Sequence, residues 1–139
     1  MAKKEANPEV ITFPSDVEYL EKIEKISTRF AIKAGFDDSS VYDIAISLTE
    51  LVNNAIHHGN KDDKNKNVTV TFSSDDKRVA ISIADEGKGF NMTSLNDPLD
   101  PANIMAENGR GLYLVKALMD DVDYKFTDSG TEIIIFKNK

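Results

Sequence analysis

The stretch ELVNNAIHHG, residues 50–59, forms the C-terminal half of a predicted helix around which the fold is organised. Apolar residues recur before and within it at steps of three and four, the period of a helix with one buried face. Gly59 is expected to lie just past the helix end, since glycine is common there. The apolar positions are Val41, Ile44, Leu48, Leu51, Val52, Ala55 and Ile56.

Glu50 and Asn54 are the polar pair of this helix. They are four residues apart and so share one face, well away from the apolar stripe. A carboxylate can take up a proton, and a carboxamide oxygen can ligate Mg²⁺. The same two residues could also belong to an ordinary solvated face, and the pair alone does not decide between these interpretations.

Length, charge and composition exclude several classes of function. The chain has 139 residues, which predicts a single domain spanning residues 1–139. A net charge of −7 argues against sequence-independent nucleic-acid binding and against an anionic membrane surface as partner. The absence of cysteine excludes disulfides and thiolate chemistry. No membrane span or signal peptide is recognisable, so we expect a cytoplasmic protein.

The other helices and strands follow from periodicity and turn residues. Ser15 and Glu18 fit a capping box at the start of a helix that Gly35 ends. Alternating apolar residues predict strands at 10–13, 68–72, 79–84, 122–127 and 131–136. A third helix runs through Leu112 and Leu118. The order β-α-α-β-β-loop-α-β-β predicts an α+β two-layer sandwich, with helices on one face of a mostly antiparallel sheet.

Two glycine motifs enclose a long segment, in which residues 91–108 have no clean period. Asp85-x-Gly87-x-Gly89 follows a predicted strand; glycines let the backbone approach a flat ligand, and an aspartate can accept a hydrogen bond from an exocyclic amine. It could equally be a simple turn. Gly109-x-Gly111 precedes a helix, where free backbone N–H groups suit phosphate oxygens, although glycine also serves simple helix entry.

The order of these motifs resembles that of the GHKL ATPase superfamily, which has the Bergerat nucleotide-binding fold. Glu-x-x-x-Asn on a helix, Asp-x-Gly-x-Gly after a strand, a lid-like loop and Gly-x-Gly at a helix start cover nearly the whole chain. The stretches GRGLYLVKALMDDVDY, residues 109–124, and DPLDP, residues 97–101, resemble in particular the bacterial serine/threonine kinase anti-sigma factors.

The resemblance implies a role for each motif residue. Glu50 would be the general base or orient the attacking group, and Asn54 would be the Mg²⁺ ligand. Asp85 would bind the adenine amino group of ATP, and residues 90–108 would be the ATP lid. Two glycines, Gly87 and Gly89, would shape the adenine pocket. Gly109 and Gly111 would lie at the phosphate side. Arg110, between them, could touch a phosphate or a partner, or simply be exposed.

The implied activity is an ATP-dependent protein serine kinase that is also an anti-sigma factor. Its implied partners are a small antagonist domain, phosphorylated on serine, and a sigma factor; a homodimer is possible. A sensor histidine kinase would need a phosphoacceptor helix, whereas the two histidines here, His57 and His58, lie within the first motif. The main alternative is a partner-switch module that binds nucleotide or protein and transfers nothing.

Overall fold

A computed structural model of the chain describes residues 8–87, 110–127 and 129–139. In these ranges five strands form one sheet, and the helices pack their apolar faces on one side of it. The strands are β1 (Glu9–Pro14), β2 (Asn67–Ser74), β3 (Arg78–Ala84), β4 (Asp121–Thr127) and β5 (Gly130–Asn138). The α-helices are α1 (Leu20–Lys33), α2 (Asp38–Asn54) and α3 (Arg110–Leu118). The predicted α+β sandwich is confirmed.

All strand pairs of the sheet are antiparallel, in the order β1-β2-β3-β5-β4. The alternation predicted for the first hairpin is confirmed, because Val70 and Phe72 of β2 face the helices and are buried. Phe72 pairs with Ile81 of β3, and Ile81 pairs with Ile135 of β5. One row of large apolar side chains therefore crosses the centre of the sheet.

Helix α2 supplies much of the core that covers this row. The seven apolar positions of the predicted stripe are all buried, and Ile44 and Leu48 are completely inaccessible. Asp37 caps the helix by accepting a hydrogen bond from the Ser40 N–H at 2.9 Å, a role that aspartate commonly has before a helix. The buried stripe fixes the rotation of α2, and so fixes which residues lie on its polar face.

The predicted start of the first helix is wrong. Ser15 is not an N-cap: it is 2% exposed, and its hydroxyl donates to the Lys66 carbonyl at 2.7 Å. Asp16 takes the capping position instead, accepting from the Glu18 N–H at 3.1 Å, and a 3₁₀ turn (Val17–Tyr19) precedes α1. Ser15 thus ties the end of β1 to the loop before β2, a long-range contact that local capping patterns do not encode.

No helix in residues 8–87, 110–127 and 129–139 is both long and apolar enough to span a bilayer.

Candidate functional site

Helix α2 does not stop at a simple glycine cap. It continues into a π turn (Ala55–Gly59), which the Asn60 N–H closes by donating to the Ala55 carbonyl at 2.8 Å. Gly59 therefore belongs to the last turn of the helix. The sequence-based prediction that it lies just past the helix end is wrong. Gly59 also lacks the positive φ of a glycine cap. π turns are rare and occur frequently at functional sites.

Gly59 is a glycine because Asp85 lies against it. A methyl group at residue 59 would overlap the Asp85 carboxylate, and Oδ2 would be the atom it met first. Asp85 follows β3 directly, so the end of the sheet meets the end of helix α2 at this point. The predicted aspartate is therefore in contact with the predicted helix, although the two are far apart in the sequence.

The Asp85 carboxylate is held by backbone groups on one side. Its Oδ1 accepts from the N–H of Gly87 at 3.0 Å and from the N–H of Thr131 at 3.3 Å. Partial burial raises the pKa of Asp85, while the hydrogen bonds from Gly87 and Thr131 act in the opposite direction. The side chain is thus a fixed acceptor whose orientation is set by two neighbouring segments of backbone.

Gly87 packs against the same helix end. A methyl group at residue 87 would overlap the carbonyl oxygen of Gly59. The sequence explained this glycine by the approach of a flat ligand, whereas the structure shows that the protein backbone itself already demands it. The segment of Asp85 to Gly87 therefore lies directly on the π turn, with no room for a side chain between them.

The second cluster lies on the polar face of α2. A methyl group at Gly111 would lie 2.5 Å from Glu50 Oε2 and 3.5 Å from Asn54 Nδ2. Gly111 is in the first turn of α3, where backbone N–H groups have no partner within the helix. Glu50 and Asn54 are both partly buried. The predicted pair therefore faces the start of the helix that was predicted to bind phosphate, and is not an ordinary solvated face.

Some predicted site residues lie outside what the structure describes. Gly89, Gly109 and the predicted lid at residues 90–108 are among them. Arg110 is the first residue of α3, but its side chain is also outside the described part.

The sequence missed one residue that holds the site together. Asn60 opens a run of polar residues, 60–67, which is typical of a solvated loop, but its side chain is fully buried. Its Oδ1 accepts from the Glu86 N–H at 2.8 Å, and its Nδ2 donates to the Asn67 carbonyl at 3.0 Å. No local pattern marks it, since lysine, aspartate and asparagine dominate the residues that follow.

The two histidines have separate environments. Nδ1 of His57 lies 2.5 Å from Asp62 Oδ1, and both Lys61 and Asp62 have positive φ angles. His58 is exposed. The two side chains therefore do not converge, in agreement with their adjacent positions on the helix.

Helix α2 thus carries two polar clusters beside a layered α+β core. Residues 13–137 of this fold match the family described as a histidine kinase-like ATPase domain. The serine-protein kinase RsbW of Bacillus mycoides is 31% identical over 130 residues, which cover 89% of this chain and 80% of that protein. RsbW of Bacillus subtilis is 31% identical over 115 residues, with 78% and 72% covered.

Solved structures agree with this fold. The RsbU and RsbW domains of a Mycobacterium tuberculosis protein superimpose with a TM-score of 0.69 at 20% identity, covering 95% of this chain and 32% of that one. A mycobacterial sensor histidine kinase, MprB, gives a TM-score of 0.52 at 16% identity, with 95% and 97% covered. The chain belongs to the histidine kinase-like ATPase family, in the branch of the RsbW serine-protein kinases.

Proposed function

We propose that the protein is an ATP-dependent protein serine kinase that also acts as an anti-sigma factor. The observation that carries this proposal is the approach of Gly111, in the first turn of α3, to Glu50 and Asn54. Phosphoryl transfer needs positioned phosphates, neutralised charge and a carboxylate near the attacking hydroxyl. A helix N-terminus beside a carboxylate and a carboxamide can supply these three requirements.

The cluster on α2 fits the phosphate end of ATP. A methyl group at Gly111 would collide with the Glu50 carboxylate, so glycine allows the first turn of α3 to approach Glu50 closely. Asn54 would hold Mg²⁺ through its carboxamide oxygen, a ligand type that suits this ion. When bound, Mg²⁺ would neutralise phosphate charge. The N–H groups of Gly109, Arg110 and Gly111 would bind phosphate oxygens, and Glu50 would accept or orient the proton of the incoming serine hydroxyl.

The cluster at the end of β3 fits the adenine end of ATP. Oδ1 of Asp85 is engaged by backbone, and Oδ2 lies beside Gly59. We assign Asp85 to accept a hydrogen bond from the adenine amino group, with Gly87 and Gly89 at the edge of the pocket. The two clusters are close together along α2 and its π turn, since Asn54 and Gly59 are five residues apart, on the order of 7 Å along the helix axis.

The partners follow from the same proposal. The phosphate acceptor would be a serine of a small antagonist domain, and the second partner a sigma factor that the protein sequesters. Two relatives named serine-protein kinase support the protein substrate. The net charge of −7 suits protein partners better than nucleic acid or an anionic membrane. We place this activity in the cytoplasm.

Glu50→Gln tests the proposal, because it keeps the shape of the side chain and removes the base. We expect Mg-ATP binding and antagonist binding to persist, while phosphate transfer slows by at least about 100-fold. The measurement is single-turnover transfer of labelled phosphate to purified antagonist domains, beside a nucleotide titration. The matched control is Glu18→Gln, the same change at an exposed glutamate before α1.

Each result of this experiment has a clear meaning. Wild-type transfer by Glu50→Gln would show that Glu50 is not the base. If the unmodified protein binds ATP but transfers nothing to any antagonist domain of its own genome, the non-catalytic partner-switch module is the better description.

A further inference from the structure

The buried side chain of Asn60 connects three parts of the fold. Its Oδ1 accepts from the backbone N–H of Glu86, just after β3. Its Nδ2 donates to the carbonyl of Asn67 at the start of β2 and to Ser15 Oγ, at 2.8 Å, after β1. Its own backbone N–H closes the π turn at the end of α2. The ends of α2, β1, β2 and β3 therefore meet at one carboxamide.

The chemistry of these partners requires a carboxamide. The Glu86 N–H can only donate and the Asn67 carbonyl can only accept, so residue 60 must offer one acceptor and one donor on opposite sides. A carboxylate would face the Asn67 carbonyl with an oxygen, and a hydroxyl side chain is too short to span both partners. The two backbone partners also fix which end of the amide is oxygen.

The hydrogen bond to Glu86 falls in the middle of the Asp85–Gly87 segment. On one side, the Asp85 carboxylate contacts Gly59; on the other, Gly87 lies against the Gly59 carbonyl. The side chain of Asn60 thus holds the segment down on the turn that its own backbone closes. The orientation of Asp85 depends further on the Gly87 N–H, which donates to Oδ1. Loss of the hydrogen bond to the Glu86 N–H would therefore free both Asp85 and Gly87, the two residues that this second hydrogen bond joins.

We infer that Asn60 is a positioning residue for adenine selectivity: it sets the position of Asp85 relative to the π turn through the Glu86 N–H. This inference rests on the proposed function, which assigns the adenine amino group to Asp85. Asn60 is fully buried under the segment and touches no nucleotide in this scheme. Its effect should therefore fall on the adenine end of the ligand and spare the phosphate end.

The test compares ATP with purine riboside triphosphate, which lacks the 6-amino group and keeps all the phosphates. Asn60→Ala should lower the preference for ATP over this analogue by about tenfold or more, because losing a hydrogen bond to a charged acceptor typically reduces affinity by that factor. Affinity for the analogue should change little. Both affinities are measured by calorimetry below the melting temperature of each variant. Asn65→Ala, which removes the same side chain from an exposed site in the same loop, is the matched control.

Two further variants separate positioning from general stability. Ser15→Ala removes one partner of Asn60 but leaves its bond to Glu86, so it should lower the melting temperature and retain the ATP preference. Asn60→Asp keeps an oxygen facing the Glu86 N–H, and so should retain more of the preference than Asn60→Ala. If Asn60→Ala does not fold, these two variants are compared with the wild type: Asn60→Asp should prefer ATP less than the wild type does, and Ser15→Ala should match it. An equal preference in all three proteins would overturn the inference.

An unchanged preference in Asn60→Ala would overturn the inference, and so would an equal loss in Ser15→Ala. In a double-mutant comparison, Asp85→Asn should weaken ATP binding much less in the Asn60→Ala background than in the wild type. Full additivity would also overturn the inference. A wild-type protein that binds ATP no better than the analogue would refute the adenine role of Asp85 in the proposed function, which is a different failure.

Discussion

Gly111→Ala offers the most direct test of how the proposed phosphate end of the site is built. The added methyl group would lie 2.5 Å from Glu50 Oε2, whereas ordinary contact begins at 3.4 Å. The carboxylate must therefore retreat by about 0.9 Å, the difference between the two distances. The methyl group would also lie 3.5 Å from Asn54 Nδ2, which is an ordinary contact, so Asn54 can stay in place.

The effect on catalysis should be large and the effect on folding small. A displacement of about 1 Å from the productive geometry can reduce a rate by about 100-fold, and we expect a reduction of this order for phosphate transfer. The backbone N–H of residue 111 remains, so Mg-ATP should still bind. Alanine in a helix is more favourable than glycine by roughly 0.5–1 kcal/mol, which should leave the apo protein at least as stable as the wild type.

The assay combines single-turnover transfer of labelled phosphate to an antagonist domain with thermal melting of the apo protein. Glu50→Gln/Gly111→Ala should be hardly slower than the slower single variant, because both changes act on the same carboxylate. A folded Gly111→Ala protein with the wild-type transfer rate would refute the contact between α3 and Glu50 as the basis of the site.

Three further predictions concern Asp85 and Asn54. Because burial raises the pKa of Asp85, its carboxyl group stays protonated to higher pH in the folded protein than in the unfolded chain. Apo stability should therefore fall as the pH rises from the usual carboxyl range through the raised pKa, and melting of Asp85→Asn should lack this component. The same variant should weaken ATP binding by about 10- to 150-fold in calorimetry. Asn54→Ala should raise the Mg²⁺ concentration required for half-maximal transfer, and a titration with an unchanged midpoint would remove Asn54 as the ligand.

The fold was predictable because its signals are periodic and local. The stripe from Val41 to Ile56 and the alternation in β2 and β3 each repeat over several turns or residue pairs, so a few deviations do not hide them. The polar pair Glu50 and Asn54 was predictable for the same reason, since a four-residue step on a helix fixes a common face.

The tertiary hydrogen bonds that join distant segments of the chain were not predictable in this way. Ser15 looked like a helix cap, because the preference of serine for that position is local, yet its hydroxyl bonds to Lys66. Asn60 looked solvated, because its neighbours are charged, yet its side chain is hydrogen-bonded to the Asn67 carbonyl and the Glu86 N–H. In each case tertiary hydrogen bonds outweighed the local preference, and a single sequence holds no record of them.

In the proposed function one helix serves both ends of a nucleotide, and the π turn accounts for the different directions of its two clusters. Glu50 and Asn54 need the regular α-helical spacing to face α3, whereas Gly59 must face the end of β3. A regular helix advances about 100° per residue, and the wider π turn changes the direction in which the following residues point. The Asn60 N–H closes this turn, and its side chain then binds the strand that Gly59 faces. The spacing between the two clusters is therefore set by continuous, hydrogen-bonded helix, anchored by the buried stripe of α2, and does not depend on a loop.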